Sequence, residues 1–177
     1  EMGIRIYTIG IGTPEGAPIQ IGGEFIKDEK GDMVVSKLDE KMLSEAKDYI
    51  RQKFLNADGT FKLDILNTMQ TPALFALRNE LLFGSAKESM IARLRENFRQ
   101  HDNCLQTGFL GTSILMQTLT DNGMQDIAYE LLFQRKNPSW LYSVDNGATT
   151  IWERWNSYTL DKGMGPRGMN SFNHYAY

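Results

Sequence analysis

Apolar positions along the chain follow two different periods, and the change between them falls near residue 43. Residues 1–43 carry short β-branched apolar runs broken by glycine and proline, which predicts strands and turns. Residues 4–11 (IRIYTIGI) form a nearly continuous apolar run, the pattern of a strand covered on both faces, as in a parallel sheet. Phe25-Ile26 and Met33-Val34-Val35 flank the charged turn Asp28-Glu29-Lys30-Gly31, which predicts a hairpin that would be marginal alone. From Ser44 onward the period becomes helical: Ala46, Tyr49, Ile50 and Phe54 share one face. The expected organisation is therefore a strand and hairpin fragment over 1–43 and a helical part over 44–177.

The helical part divides at its capping signals. Thr71 and Pro72 read as N-cap and first helical position, with Leu74, Leu77 and Leu81 as the apolar stripe and Gly84 as the stop. Ser85 and Glu88 have capping-box spacing before a stripe of Ile91, Leu94 and Phe98. Thr112 is placed to cap a helix carrying Leu115 and Leu119, and Gly123 separates it from one carrying Met124, Ile127, Ala128, Leu131 and Leu132. Tightly joined helical hairpins are expected. Beyond Asn137 the period is lost, and residues 137–177 read as long loops.

Those loops hold all three tryptophans, Trp140, Trp152 and Trp155. Large amphipathic rings in loops suit stacking on the apolar faces of sugars, and equally suit plugging the core beneath the loops. Composition narrows the other options. Nineteen Lys and Arg against 22 Asp and Glu give a net charge of −3, so no chain-wide basic field exists to hold nucleic acid. No apolar run reaches the roughly 18 residues of a membrane span, and no signal-peptide pattern opens the chain, which leaves the compartment unknown. The single cysteine, Cys104, excludes an internal disulfide and a multi-cysteine metal site and reads as a small buried hydrophobe.

Several motifs fail on their spacing. Gly10, Gly12 and Gly16 follow the apolar run as GxGxxxG, with no helical pattern behind them, so a dinucleotide loop is not expected. Asn56, Asp58 and Gly59 resemble part of a calcium loop, but Phe54 and Ile65 stand where its first and last ligands belong, so a plain turn is expected. His101 and His174 lie far apart without an HExxH, so a zinc hydrolase site is poorly supported, and a single-histidine metal site has no motif behind it. The start at Glu1 suggests an excised or incomplete segment.

Two family resemblances remain. Ile6-Tyr7-Thr8-Ile9-Gly10-Ile11-Gly12-Thr13, then Gly16-Ala17-Pro18-Ile19 and Val34-Val35-Ser36-Lys37-Leu38-Asp39-Glu40, resemble aerotolerance-type von Willebrand factor A domains over about residues 3–43. No Asp-x-Ser-x-Ser ion loop accompanies them. Residues 45–177 resemble the catalytic domain of glycoside hydrolase family 78 α-L-rhamnosidases. The resemblance rests on Thr68-Met69-Gln70-Thr71, Thr107-Gly108-Phe109-Leu110-Gly111-Thr112, Asp121-Asn122-Gly123, Pro138-Ser139-Trp140-Leu141-Tyr142, residues 147–155 (GATTIWERW) and residues 169–176 (MNSFNHYA), in the family's order. It implies a mainly α fold: the later hairpins of a six-hairpin α/α toroid, here behind a short N-terminal β segment.

The same resemblance implies inverting hydrolysis of terminal α-L-rhamnosides without a metal or organic cofactor, a reaction that needs one carboxyl group as acid and one as base. Glu153 matches the base, unless it only pairs with a nearby cation. His174 matches a residue that contacts the sugar, although a core histidine would look the same. Arg154 is placed either to orient Glu153 or to tie the loop to Asp145 or Asp161. Trp140, Trp152 and Trp155 are candidates for stacking on rhamnose. The family's general acid belongs to an upstream segment rich in Asp, Glu, Arg and Trp, and nothing like it precedes Ser44. The chain therefore reads as a fusion of two incomplete pieces, weak or inactive alone, with exposed terminal hairpins that favour self-association. The expected partner is a rhamnose-containing glycoside or oligosaccharide. Rival readings are a von Willebrand A-like protein-binding module and a helical domain that binds carbohydrate without cutting it.

Overall fold

The computed structural model describes residues 15–165 and 171–174, in two units, Glu1–Tyr49 and Ile50–Tyr177. The apolar run over 4–11 lies outside the described residues. In the first unit, β1 (Ala17–Pro18) pairs antiparallel with β4 (Val35–Ser36), and β2 (Gln20–Ile21) with β3 (Glu24–Phe25). Gly22 and Gly23, both at positive φ, close the β2–β3 hairpin, as a two-residue turn of the primed type requires. The expected charged turn forms as well. Asp28 Oδ1 accepts from Lys30 N and Asp32 N, Gly31 N donates to the Asp28 carbonyl, and Lys27 bridges Met33. Ile21, Phe25 and Met33 remain exposed, so backbone pairing and turn chemistry define this unit more than a core does.

Helix α1 (Glu40–Phe54) starts before the expected Ser44, because Asp39 Oδ1 caps it by accepting from Met42 N at 2.8 Å. The division between the units falls within α1. No α1 residue is buried, and Tyr49, Ile50 and Phe54 stay exposed along its apolar stripe. Asn56-Ala57-Asp58-Gly59-Thr60 is the expected turn: Leu55 bridges Phe61 across it, and Asp58 Oδ1 accepts from Thr60 N.

The second unit is helical. Its helices are α2 (Gln70–Arg78), α3 (Gly84–Gln100), α4 (Phe109–Asp121), α5 (Gln125–Phe133) and α6 (Trp140–Asp145), with a 3-10 turn at Asp64–Thr68 before α2. Helix α2 packs on α3 and α4, and α4 on α5. The predicted stripes form the core: Leu74, Leu94, Phe98, Leu115, Leu119, Met124 and Leu131 are buried together. Leu132 departs from its stripe and is exposed. Gly111 allows the close approach of α4 to α2, since a Cβ there would lie 2.4 Å from Thr71 Oγ1.

The stripes hold while the predicted caps move. Thr71 is not the N-cap of α2. The helix begins at Gln70, whose buried amide donates to the Cys104 carbonyl at 3.1 Å and accepts from Gln106 N at 2.8 Å. These tertiary bonds fix the start, and Pro72 is tolerated in the first turn. Gly84 does not end α2. The helix stops at Arg78, and Glu80 takes the left-handed position while Leu81 N bonds back to the Ala76 carbonyl, a Schellman closure. The Ser85 capping box does not form. Arg51 instead holds the α2–α3 connection, donating to the Leu81 and Glu80 carbonyls with its guanidinium over the Phe83 ring. Thr112 is not a cap either: α4 starts at Phe109, and the Thr112 hydroxyl donates to the Gly108 carbonyl and meets Thr107 Oγ1.

The expected long loops beyond Asn137 contain more order than the lost period predicts. Ser139 caps the short α6 by accepting from Tyr142 N, and β5 (Tyr158–Thr159) pairs with β6 (Gly163–Met164). Both elements are too short for periodicity to reveal. Among the described residues, no helix is long and apolar enough to cross a membrane.

Candidate active site

Two chain segments beyond α6 are stitched side by side. His174 N donates to the Ile151 carbonyl at 2.9 Å, Glu153 N donates to the Ser171 carbonyl at 2.8 Å, and the Thr150 hydroxyl donates to the Phe172 carbonyl. Ser171 N returns a bond to Glu153 Oε2 at 2.7 Å. The half-buried Glu153 carboxylate is thus fixed through one oxygen, while Oε1 has no partner among the described residues. Glu153 lines a cavity of about 380 Å³ with Thr107, Gly108, Pro138, Arg154 and Trp155. A carboxylate held by one oxygen and open at the other can accept a proton from a molecule in that cavity.

The start of α4 and the residues just before it support this arrangement. Trp155 Nε1 donates to the Thr107 carbonyl at 2.6 Å, which sets the indole as a wall of the Glu153 cavity. Phe109 stacks on the His174 ring, with centroids 4.1 Å apart and planes 12° from parallel. Sequence reasoning gave Thr107, Phe109 and Ser171 no role in the site. Their signal was present only as members of the family-like motifs, because they act through a carbonyl, a ring face and a backbone N–H.

The other predicted residues divide. Trp140 and Trp152 do not line the Glu153 cavity. With Trp155, Val144, Ala148 and Ile151 they enclose a separate, mainly apolar cavity of about 310 Å³. Trp140 meets Trp155 edge-on, and the buried Trp152 meets Phe172 and Tyr158 in the same way. Trp155 lines both cavities. Arg154 is exposed beside Glu153, and its guanidinium has no ion-pair partner among the described residues; its backbone is held by Ser157. Asp145 is not available to it, because both Asp145 oxygens accept from Arg135 Nη1, at 2.6 and 2.7 Å. Asp161 turns to its own hairpin, where the Thr159 hydroxyl holds its carboxyl below the usual range. His101 lies elsewhere, its Nδ1 2.7 Å from the Asn97 carbonyl. No cluster of three His, Cys, Asp or Glu suited to a metal ion occurs among the described residues. Met169, Asn170, Tyr175 and Ala176 of the last family-like motif lie outside the described residues.

Residues 35–177 match the family described as the bacterial alpha-L-rhamnosidase 6 hairpin glycosidase domain. An alpha-L-rhamnosidase of Formosa agariphila is 48% identical over 116 residues, which are 66% of this chain and 12% of that protein. An alpha-L-rhamnosidase of an Alteromonas species is 51% identical over 108 residues, covering 61% of this chain and 12% of that protein. Among solved structures, the Streptomyces avermitilis alpha-L-rhamnosidase complexed with L-rhamnose superposes with a TM-score of 0.71 at 38% identity, over 77% of this chain and 13% of that one. The Aspergillus terreus enzyme gives a TM-score of 0.68 at 36% identity, over 75% of this chain and 15% of that one. The chain spans about an eighth of the length of the curated relatives it matches.

Proposed function

The chain belongs to the bacterial α-L-rhamnosidase six-hairpin glycosidase domain family, and we propose that it carries the base half of a site that hydrolyses terminal α-L-rhamnosides with inversion. The observation that supports this reading is the Glu153 carboxylate, anchored at Oε2 by Ser171 N–H and with no partner at Oε1 among the described residues, on the wall of a cavity large enough for a sugar ring and a water. In this reading a water lies between Glu153 Oε1 and the anomeric carbon. As the glycosidic bond breaks, the water oxygen bonds to that carbon and its proton passes to Oε1. The leaving oxygen takes a proton from a general acid on the opposite face. His174 contacts a sugar hydroxyl, Trp155 shields the reacting water from bulk solvent, and Arg154 lends positive charge at the cavity edge.

In this reading the general acid is not among residues 1–44, and so the 177-residue chain by itself is expected to be weak or inactive on ordinary rhamnosides. The von Willebrand A-like resemblance of residues 3–43 rests on the sequence motifs alone, residues 35–43 of it fall within the rhamnosidase family match, and it gives that part no share in the chemistry. The leaving group tests the base-half reading. Dinitrophenolate departs without a proton, so a site with a base and no acid should hydrolyse 2,4-dinitrophenyl α-L-rhamnoside while leaving an alkyl rhamnoside almost untouched. Binding of L-rhamnose without release from either substrate would instead favour a non-catalytic carbohydrate-binding domain. Equal rates on both substrates would require an acid within the chain.

A further inference from the structure

An imidazole that must meet a ligand in one orientation is ordinarily fixed by a hydrogen bond from one ring nitrogen to a carbonyl or carboxylate. His101 of this chain follows that pattern through the Asn97 carbonyl, 2.7 Å from its Nδ1. His174 does not. Its backbone is tied to Ile151, but neither ring nitrogen has a partner among the described residues, and the described contact of the ring itself is the parallel stack on Phe109 at 4.1 Å. Phe109 opens α4 next to Gly108, which lines the Glu153 cavity, and is only half-buried, while the α4 core is formed by Leu115 and Leu119.

From this we infer that Phe109 is a positioning residue: it holds the plane of the His174 ring by stacking and so leaves both nitrogens at the ring edge for hydroxyl groups of a bound 6-deoxyhexose. A hydrogen bond would consume one nitrogen and fix one tautomer. A stacked ring is held in plane while either nitrogen can donate or accept. The inference rests on the sugar-contact role of His174 proposed above.

The test is histidine ring NMR on the full 177-residue chain, with L-rhamnose as the probe. The chain has two histidines, so His174→Gln identifies the His174 signals by their loss. A ring lying over the face of Phe109 should resonate upfield. Phe109→Leu should abolish that shift with helix content unchanged, and Phe109→Tyr should retain it. Titration with L-rhamnose should move the His174 signals in the wild type, with about threefold to tenfold weaker affinity in Phe109→Leu and recovery in Phe109→Tyr. Identical His174 shifts in wild type and Phe109→Leu would overturn the stack. An unchanged L-rhamnose affinity in Phe109→Leu would overturn the positioning role while leaving sugar binding intact. A His174 that is stacked but silent to L-rhamnose would overturn the sugar-contact reading, and the inference with it.

Discussion

Glu153 and Ser171 exchange two hydrogen bonds, one between backbones and one from a backbone N–H to a carboxylate, and only the first of these residues carries a visible chemical signal in the sequence. The signal of Glu153 is its place in the Trp-Glu-Arg-Trp part of the rhamnosidase-like motif. Ser171 carries none of its own, because any residue but proline supplies the same N–H. Trp155 is a similar case, since its aromatic character was plain but its bond to the Thr107 carbonyl depends on where α4 begins. Trp155→Phe keeps most of the ring and removes the donor, leaving the carbonyl of the buried Thr107 short of a partner. It should cost about 1–2 kcal/mol in urea denaturation. An unchanged midpoint would mean that water replaces the bond. In the core, Leu115→Ala should cost about 3 kcal/mol, because Leu115 is fully buried. Leu132→Ala should cost less than about 1 kcal/mol, because Leu132 is 43% exposed.

At the scale of elements, apolar periodicity located every long helix, and capping residues misplaced three of their starts. The reason is physical. A side-chain cap contributes about 1 kcal/mol, and the tertiary bonds of Gln70 and Arg51 and the local Thr107–Thr112 contact compete with it and set the ends elsewhere. The contact of α2 with α4 is similarly decided by Gly111. Gly111→Ala gains about 1 kcal/mol of helix propensity but meets Thr71 Oγ1 and Thr107 at 3.0 Å or less, and overpacking of that kind costs about 1–3 kcal/mol. A net loss of stability is expected, and a stabilised variant would show that Thr71 rotates away freely.

Helix α3 is tied to the start of α5 by Arg95, which bonds both Asp126 oxygens and the Gly123 carbonyl. The Arg95 hydrogen bond holds the Asp126 carboxyl below its usual range. The folded value therefore lies below the unfolded one. The stabilisation is fully present above the ordinary carboxylate value and is lost as pH falls through the depressed folded value. Asp126→Asn should accordingly flatten the loss of stability below about pH 4, by a modest amount because the pair is exposed. Thermal melts across that range would check it, and an acid limb identical to wild type would remove the role.

On the scale of the whole molecule, the helical hairpins and the family were legible from residue 45 onward, since six ordered motifs carried them. Short elements such as α6 and the β5–β6 hairpin were not, because six residues or fewer hold no readable period. Apolar side chains left at the surface are a property of the whole: Phe83, Tyr129 and Phe133 are each at least 65% exposed, and Leu63 and Ile65 are each 59% exposed. With a net charge of only −3 to oppose contact, the chain should associate as its concentration rises. Sedimentation velocity over a hundredfold concentration range would show this, and a single monomeric species throughout would contradict it.

In the proposed reaction the Glu153 carboxylate activates the hydrolytic water. The most direct test of this step is the rate of dinitrophenolate release from 2,4-dinitrophenyl α-L-rhamnoside by the 177-residue chain and by its Glu153→Gln variant, with matched circular dichroism. The account predicts slow release by the chain and a loss of about a hundredfold or more in the variant, since shape is kept and only the base is removed. Equal release by both chains, or none by the unaltered chain, would contradict it.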